Sequence, residues 1–398
     1  MVNIPIVLAS DKNGIFQMYT TILSAIENKN NDTFYEFYCL IPSKFSKFVN
    51  KKFYKLTQKY KNVSIKFIKM GTSFSNIKMQ IAHITSPTFY RLKIAELLPN
   101  RDKAIYLDID TIVLADLKEL YNIELKDNYI GGIPSASFVL DTNNKTYYEK
   151  IGLNNMDSYI NAGIILWNLK EIRKNKLTEK FLELAKNTYK FMDQDIINLA
   201  CKGKIKCLNF KFNVMNSYQK NFLSDPNLAK KLYEFYGKEE FESGVKNPVI
   251  VHYASNKKPW IDKTIWLSEY WLKYQKKCPF KNKETVIKKY ETLFLNQIKE
   301  NKSKKIMFWG ASLFLEDLIL SKKIKKQKIL GIIDKNTAKQ GQKLGNFEIY
   351  SPEILDKIKP DIIIFSILHN HNKIYAEVKK FINENYPKVK ILPCAFEN

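Results

Sequence analysis

The sequence predicts an α/β protein made of two successive units, and three observations carry that prediction. Short apolar runs alternate with stretches of helical period along residues 1–260, as happens when a parallel sheet carries helices on its faces. Several of these runs end in polar residues, as strands do where an open sheet turns its carboxyl edge to a ligand. The composition shifts at Asn301-Lys302-Ser303, after which a second strand–helix alternation begins. A chain of 398 residues is long enough for two or three domains with large cores.

Taken in order, Ile4–Ser10 is an apolar first strand ending in Ser10-Asp11, and nothing before it has the basic start of a signal peptide. A helix follows over 14–27, a strand over 34–41, a helix over 45–60 and a strand over 63–70. Thr88–Leu98 predicts a helix leading into Ala104–Leu107, a strand apolar throughout and so buried on both faces. Further strands are expected at Tyr129–Ile133, Tyr159–Leu169, Ile205–Val214 and Pro248–Tyr253. Helices are expected at Leu177–Tyr189 and from Asp193, whose carboxylate suits an N-cap. From Asp262 to about 302 the chain reads as lysine-rich helix. Beyond it, strands at 305–309, 328–334, 361–366 and 388–392 alternate with helices. The expected division is a first domain over 1–265, a helical lysine-rich linker over 266–302 and a Rossmann-like α/β module over 303–398.

The chain is 45% hydrophobic and 13% aromatic, which suits a globular protein, and no window approaches the roughly 18 apolar residues of a membrane span. A net charge of +25 first suggests nucleic acid or an anionic membrane. Of 65 basic residues, only three are Arg: Arg91, Arg101 and Arg173. Base-edge readers favour Arg forks, so nucleic acid is not expected as a partner. Loose peripheral contact with an acidic membrane surface fits diffuse lysine charge better. The five cysteines are scattered and include no Cys-x-x-Cys pair. That suggests neither a disulfide framework nor a zinc site, and a cytoplasmic protein.

Asp108 and Asp110 follow the central strand. Two acids spaced i, i+2 on an extended segment point the same way and can hold a hard divalent cation that also bridges phosphates. A solvated turn after a strand is the other reading. More polar residues lie at expected strand or helix ends: Ser10-Asp11, Asn161, Asp193-Gln194, and His252 ahead of Lys257, Lys258, Pro259 and Trp260. Arg91 stands in Pro87-Thr-Phe-Tyr-Arg-Leu-Lys93. In so lysine-rich a chain an Arg marks a place needing a two-pronged donor, or is a chance survivor on a helix surface. Strand ends of an open sheet converge on one crevice. That would gather two acids, a His, a Lys, an Arg and amides around one pocket, a set suited to a metal-bound diphosphate.

Four blocks carry a resemblance: Tyr106-Leu-Asp-Ile-Asp110, Asn161-Ala-Gly-Ile-Ile-Leu166, Asp193-Gln-Asp-Ile-Ile197 and His252-Tyr-Ala-Ser-Asn-Lys-Lys-Pro-Trp260. In this order and spacing they resemble the retaining glycosyltransferases of family eight, which include bacterial lipooligosaccharide galactosyltransferases and glycogenin. The resemblance runs over roughly residues 3–270. It implies a catalytic domain of glycosyltransferase-A type with a mixed central sheet. It further implies transfer of a hexose, galactose or glucose, from a UDP-sugar to a glycan or lipid-linked saccharide acceptor, in lipooligosaccharide or other surface glycan synthesis. Asp108, Asp110 and His252 would ligate Mn²⁺, or Mg²⁺ in its place, on the donor diphosphate, with Ile109 between the acids also at the nucleotide. Lys258 would meet the phosphates, with Ser255 close by, and Ala9 and Asp11 would line the uridine pocket. Arg91, Asn161, Ala162, Asp193 and Gln194 would hold the donor sugar.

Two departures stand out. Ser255 replaces the Gly that many relatives carry in the His-x-x-Gly-x-x-Lys-Pro-Trp signature, where a side chain restricts a turn beside phosphate. After Gly131-Gly132, where some relatives place an acid that meets the acceptor, this chain has Ser135 preceded by Pro134. No side chain stands out as the nucleophile of a double displacement, and an amide such as Gln194 is poor at it. The expectation is front-face attack within an ion-pair-like transition state.

Other readings stay open at this level. One is a basic protein associated with nucleic acid. Another rests on the last module, where Gly310 and Asp334 resemble half of a dinucleotide fingerprint and would make a nicotinamide-dependent enzyme. Without the other two glycines, an α/β docking module with no cofactor is the plainer reading. The lysine-rich helix over 266–302 could rest on an anionic membrane or simply connect two domains in water.

Overall fold

The computed structural model describes residues 1–71, 74, 86–136, 140, 145–153, 158–218, 225–254, 258–280, 283–324, 328–367 and 371–393. The chain divides into two compact units, Met1–Asn282 and Lys283–Asn398. In the first, the strands are β1 (Val2–Ala9), β2 (Thr33–Ile41), β3 (Val63–Lys69), β4 (Lys103–Leu107), β5 (Thr111–Val113), β6 (Ile130–Pro134), β7 (Ile160–Asn168), β8 (Ile205–Cys207), β9 (Val214–Met215) and β10 (Ile250–His252).

Seven of them form one sheet in the order β3-β2-β1-β4-β7-β6-β8. Only β7 runs against its neighbours, which makes the sheet mixed. Both faces are covered. Ile4, Ile6 and Leu8 of β1, with Ile105 and Leu107 of β4, enter one core; Val7, Ala9, Ala104 and Tyr106 enter the other. These strands therefore read as continuous apolar runs, with no alternation. Because β7 is reversed, its first residues lie where β4 ends: Leu107 pairs with Ile164, and the Asp108 N–H donates to the Gly163 carbonyl at 2.7 Å. A small second sheet, β5-β10-β9, continues from β4, with His252 paired opposite Thr111.

Three elements differ from expectation. Thr88–Leu98 is not one α-helix: a 3-10 helix, Ser86–Lys93, precedes a single α-turn, Ile94–Leu97. In 3-10 geometry residues i and i+3 eclipse, which brings Arg91 onto Thr88, whose carbonyl accepts from Arg91 Nε at 3.0 Å. The strand expected over Ile205–Val214 is split into β8 and β9 by a 3-10 turn, Phe210–Phe212, entered at Asn209, whose side chain accepts from the Lys211 N–H. Residues 266–302 contribute to both units. The helix Ser268–Gln275 buries Trp271 and Tyr274 in the first core, and the helix Lys283–Glu300 gives Phe294 and Ile298 to the second. Trp271 and Tyr274 thus pack in protein and offer nothing to a membrane surface.

The second unit has β11 (Ile306–Trp309), β12 (Ile329–Ile333), β13 (Lys343–Leu344), β14 (Phe347–Tyr350), β15 (Ile362–Phe365) and β16 (Lys390–Leu392), in the order β13-β14-β12-β11-β15-β16. All pairs are parallel except β13 with β14. Gly310 follows β11 at φ 106°, and a Cβ there would fall 2.3 Å from Ile367, so close packing explains this glycine. Asp334, which a dinucleotide fold would turn to ribose hydroxyls, instead accepts from the Ala311 N–H at 2.8 Å. Among the described residues no helix is long and apolar enough to cross a membrane.

Candidate functional site

β4 does not stay extended through its acids. Ile109 and Asp110 form a turn between β4 and β5, so the carboxylates converge because the chain bends and not because of strand pleat. The turn is held from several sides. Thr111 Oγ1 donates to the Asp108 carbonyl at 2.8 Å, and the Tyr253 N–H to the Asp110 carbonyl at 2.9 Å. Thr21 Oγ1, on the helix Ile15–Glu27, lies 2.7 Å from the Ile109 carbonyl and 2.8 Å from that of Thr111. Ile109 itself packs on Gly14, where a Cβ would sit 2.5 Å from Ile109 Cδ1.

Each acid has one oxygen committed to a cation. Asp108 Oδ1 accepts from Arg91 Nη2 at 2.7 Å and from the Tyr106 hydroxyl at 3.0 Å; Asp110 Oδ2 accepts from Lys258 Nζ at 2.7 Å. The other oxygens face His252, whose Nε2 lies 3.8 Å from Asp108 Oδ2 and 3.3 Å from Asp110 Oδ1. The three residues can thus offer ligand atoms all within 4.8 Å of one another. Two carboxylate oxygens and an imidazole nitrogen are a donor set that manganese or magnesium accepts, so these residues fit the metal that the resemblance implies. Burial works against the charge on Asp110, but Lys258 and His252 outweigh it and hold its carboxyl well below the usual range.

The ring of His252 owes its place to Gly163. A Cβ at Gly163 would lie 2.2 Å from His252 Cε1 and 2.9 Å from Nδ1. Gly163→Ala is therefore expected to displace the ring and weaken Mn²⁺ binding by about 10–100-fold. Titration of the protein with Mn²⁺, read by the paramagnetic signal of the free ion, checks this.

Arg91 is 4% exposed. It lies over the Tyr106 ring at 4.1 Å, donates Nη1 to the Ala162 carbonyl, and sets Nε 3.0 Å from Asp193 Oδ2. Asp193 is the first residue of the helix Asp193–Ala200 and not its cap, because Met192 before it turns left-handed at φ 48°. That turn leaves the carboxylate on Arg91 and on Thr88, whose hydroxyl donates to Oδ1 at 2.7 Å. Asp193 Oδ2 is buried beside the Arg91 charge, yet no donor is aligned on it. Burial pushes the Asp193 carboxyl up, with Arg91 opposing.

Arg91, Asp108, Asn161, Ala162, Asp193 and Gln194 line a pocket of about 330 Å³ that also borders Ser135 and Tyr218. Ala9 and Asp11 are not among its lining residues. Ala9 ends β1 beside β4, where Val7 pairs with Tyr106. Asp11 accepts from the N–H groups of Asn13 and Gly14 at 2.7 and 3.3 Å. It stands near Tyr90, whose hydroxyl pKa burial and Asp11 together push up. Ser255 and Lys257 lie outside the described residues. Thr88 and Tyr106, which stand in the stretches around Arg91 and Asp108 and to which the sequence assigns no role, make site contacts, as does Asn213, which no motif marks. The trace Asn213 left is an amide between the apolar Phe212 and Val214, and it is fully buried.

The glycosyl transferase family 8 model matches residues 5–264, and a second, described as C2185-like, N-terminal, matches residues 302–392. A putative glycosyltransferase of Haemophilus influenzae is 30% identical over 231 residues, covering 52% of this chain and 64% of that protein. A lipopolysaccharide 1,2-glucosyltransferase of Escherichia coli is 30% identical over 215 residues, covering 51% of this chain and 59% of that protein. The chain thus spans less than two thirds of the length of these two curated relatives. The crystal structure of galactosyltransferase LgtC with donor and acceptor sugar analogs is similar at a TM-score of 0.58 and 28% identity, over 71% of this chain and 98% of that one. The first unit has the glycosyltransferase-A-type α/β fold. Every residue of the pocket falls inside a family match that takes in well over half of the chain, and the chain accordingly belongs to glycosyl transferase family 8.

Proposed function

We propose that this chain transfers a hexose, galactose or glucose, with retention from a UDP-sugar to a glycan or lipid-linked saccharide acceptor. The observation that carries the reading is the meeting of Asp108 Oδ2, Asp110 Oδ1 and His252 Nε2 beside a pocket whose wall Asp108 also forms. A manganese ion, when bound there, supplies a Lewis acid to the donor diphosphate. The chain's own groups do the rest. Lys258 Nζ bonds Asp110 and the Tyr253 carbonyl; among the described residues this leaves a third N–H for a phosphate oxygen, and the ammonium countercharges the departing UDP. Asp193, at the pocket wall beside Arg91, accepts from a sugar hydroxyl, a contact that discriminates strongly in a desolvated site. Ala9 and Asp11 face the uridine.

Gln194 is committed at both ends. Its Oε1 accepts from Asn161 Nδ2 and the Ala162 N–H, and its Nε2 donates to the Tyr159 hydroxyl. An amide so held orients the sugar side and does not attack carbon, which supports front-face attack by the acceptor. The E. coli relative's name supports an acceptor in lipooligosaccharide or another surface glycan. Synthesis at the cytoplasmic face would let the basic chain rest on anionic lipid.

A panel of UDP-sugars with manganese tests the donor without knowledge of the acceptor. Slow release of UDP from UDP-galactose or UDP-glucose is expected, as is an upward thermal shift with UDP and Mn²⁺. No release from any UDP-sugar, with salt-sensitive RNA binding in its place, would sink the reading. Lys258→Ala is expected to lower kcat about a hundredfold while the protein stays folded. An unchanged kcat would move the phosphate contact to another cation.

A further inference from the structure

A single file of hydrogen bonds runs from a buried carboxylate to the imidazole of His252. Asp195 is fully buried and takes no part in the chemistry described above. Its Oδ1 accepts from the Tyr159 hydroxyl at 2.6 Å, and its Oδ2 from the Tyr147 hydroxyl at 2.6 Å and the Phe191 N–H at 2.8 Å. Tyr159 has spent its proton on Asp195, so its oxygen accepts from Gln194 Nε2 at 3.0 Å. Gln194 Oε1 then faces Asn161 Nδ2 at 3.1 Å, and Asn161 Oδ1 faces Asn213 Nδ2 at 3.0 Å. Asn213 Oδ1 ends the file 3.0 Å from His252 Nδ1.

The direction of every bond in this file is set twice. From the far end, an ionised carboxylate can only accept. From the side, two backbone N–H groups, which cannot turn round, peg the amides: Ala162 N donates to Gln194 Oε1 at 3.1 Å and Gly163 N to Asn161 Oδ1 at 3.0 Å. Asn161 therefore shows Asn213 an oxygen, Asn213 must answer with its NH₂, and its own oxygen is left for His252. A hydrogen of the imidazole is thereby held on Nδ1, which leaves Nε2, between Asp108 and Asp110, as the nitrogen that a metal can take. The partner of one ring nitrogen decides what the other can bind.

We infer that Asn213 is a positioning residue that makes His252 a metal ligand through Nε2 and ties that ligand to the amides Asn161 and Gln194 on the donor-sugar side. The inference rests on the function proposed above. Asn213 touches neither metal nor sugar. It joins the two halves of the site because its oxygen serves one half and its NH₂ the other. The two ends of one side chain can therefore be separated by substitution.

Asn213→Asp keeps the volume and the acceptor for His252 but replaces the donor to Asn161. Its Mn²⁺ affinity is expected to be unchanged or tighter, while KM for the UDP-sugar rises about tenfold. Asn213→Ala removes both ends, and Mn²⁺ affinity is expected to fall about 10–100-fold along with donor binding. Mn²⁺ titration and UDP-sugar hydrolysis of the full chain read the two effects. A merely structural Asn213 would make both variants lose metal and donor binding together. That outcome, or Mn²⁺ affinity in Asn213→Ala within twofold of the parent, overturns the inference. If Asn213→Ala does not fold, the divergence of metal affinity from KM in Asn213→Asp decides alone. If the parent protein binds no Mn²⁺ in the presence of UDP, the proposed function falls first and this inference with it. A parent that binds while the variants do not diverge sinks the inference only.

Discussion

On the proposed function, Asp110→Asn is expected to lower hexose transfer by about a hundredfold to a thousandfold and to leave UDP affinity insensitive to manganese. The geometry makes the loss large because Asp110 uses its two oxygens for different things. Oδ2 holds Lys258 at 2.7 Å, and Oδ1 faces His252 Nε2 at 3.3 Å. An amide of the same shape has one oxygen to give. Turned one way, its NH₂ meets the lysine ammonium; turned the other, it fills the place of a metal ligand. The lost charge matters as well, since Lys258 and His252 favour the ionised carboxyl against its burial. Calorimetric titration with UDP, with and without Mn²⁺, separates the metal effect from a general loss of fold. A variant with the parent's rate would show that the carboxylates of this turn hold no metal during turnover.

Arg91→Met has the largest expected effect on stability, a loss of about 3–5 kcal/mol in urea unfolding. Arg91 is almost fully buried between Asp108 and Asp193, so its removal strands two acids in a poorly solvated place. Arg91→Lys should recover only part of the loss, because one ammonium cannot fork between the two carboxylates. The sign of the pH dependence distinguishes this from a packing defect. Burial already raises the Asp193 carboxyl above its ordinary value, and loss of Arg91 raises it further. For a carboxyl raised in the folded state, ionisation costs stability. The cost is fully present above the folded pKa and is relieved as pH falls through it toward the unfolded value. The deficit of Arg91→Met should shrink on mild acidification. A deficit that stays constant with pH would point to lost packing on Tyr106.

The readable parts of this molecule are those where chemistry restricts residue choice. The rarity of Arg was informative: Arg101 pairs with Glu36 at 2.6 Å, and Arg173 donates to the carbonyls of Ala95, Leu98 and Arg101. Each of the three thus stands where a lysine point charge would serve less well. Apolar runs marked the strands of the main sheet because both faces are covered. Positions that depend on tertiary direction were not readable. The bend at Ile109-Asp110 is imposed by Thr21, Thr111 and Tyr253, none of them near in pattern to a turn signal. The left-handed Met192, which turns Asp193 from a cap into a site residue, carries a side chain that gives no sign of such a backbone. Asn213 became meaningful only when β9 brought it against His252.

The small sheet has a consequence for when the site comes into being. Lys258 and Asp110, which bond directly, are 148 residues apart in the chain, and β10 reaches β5 across nearly as great a separation. Closing so long a loop is slow and comes after local structure has formed. The first acids leave the ribosome long before the imidazole and the lysine that complete them. On the function proposed above, a partly made chain thus carries two of the three candidate metal ligands and is not expected to act on an activated sugar. The candidate ligand set is complete only once β10 has paired with β5.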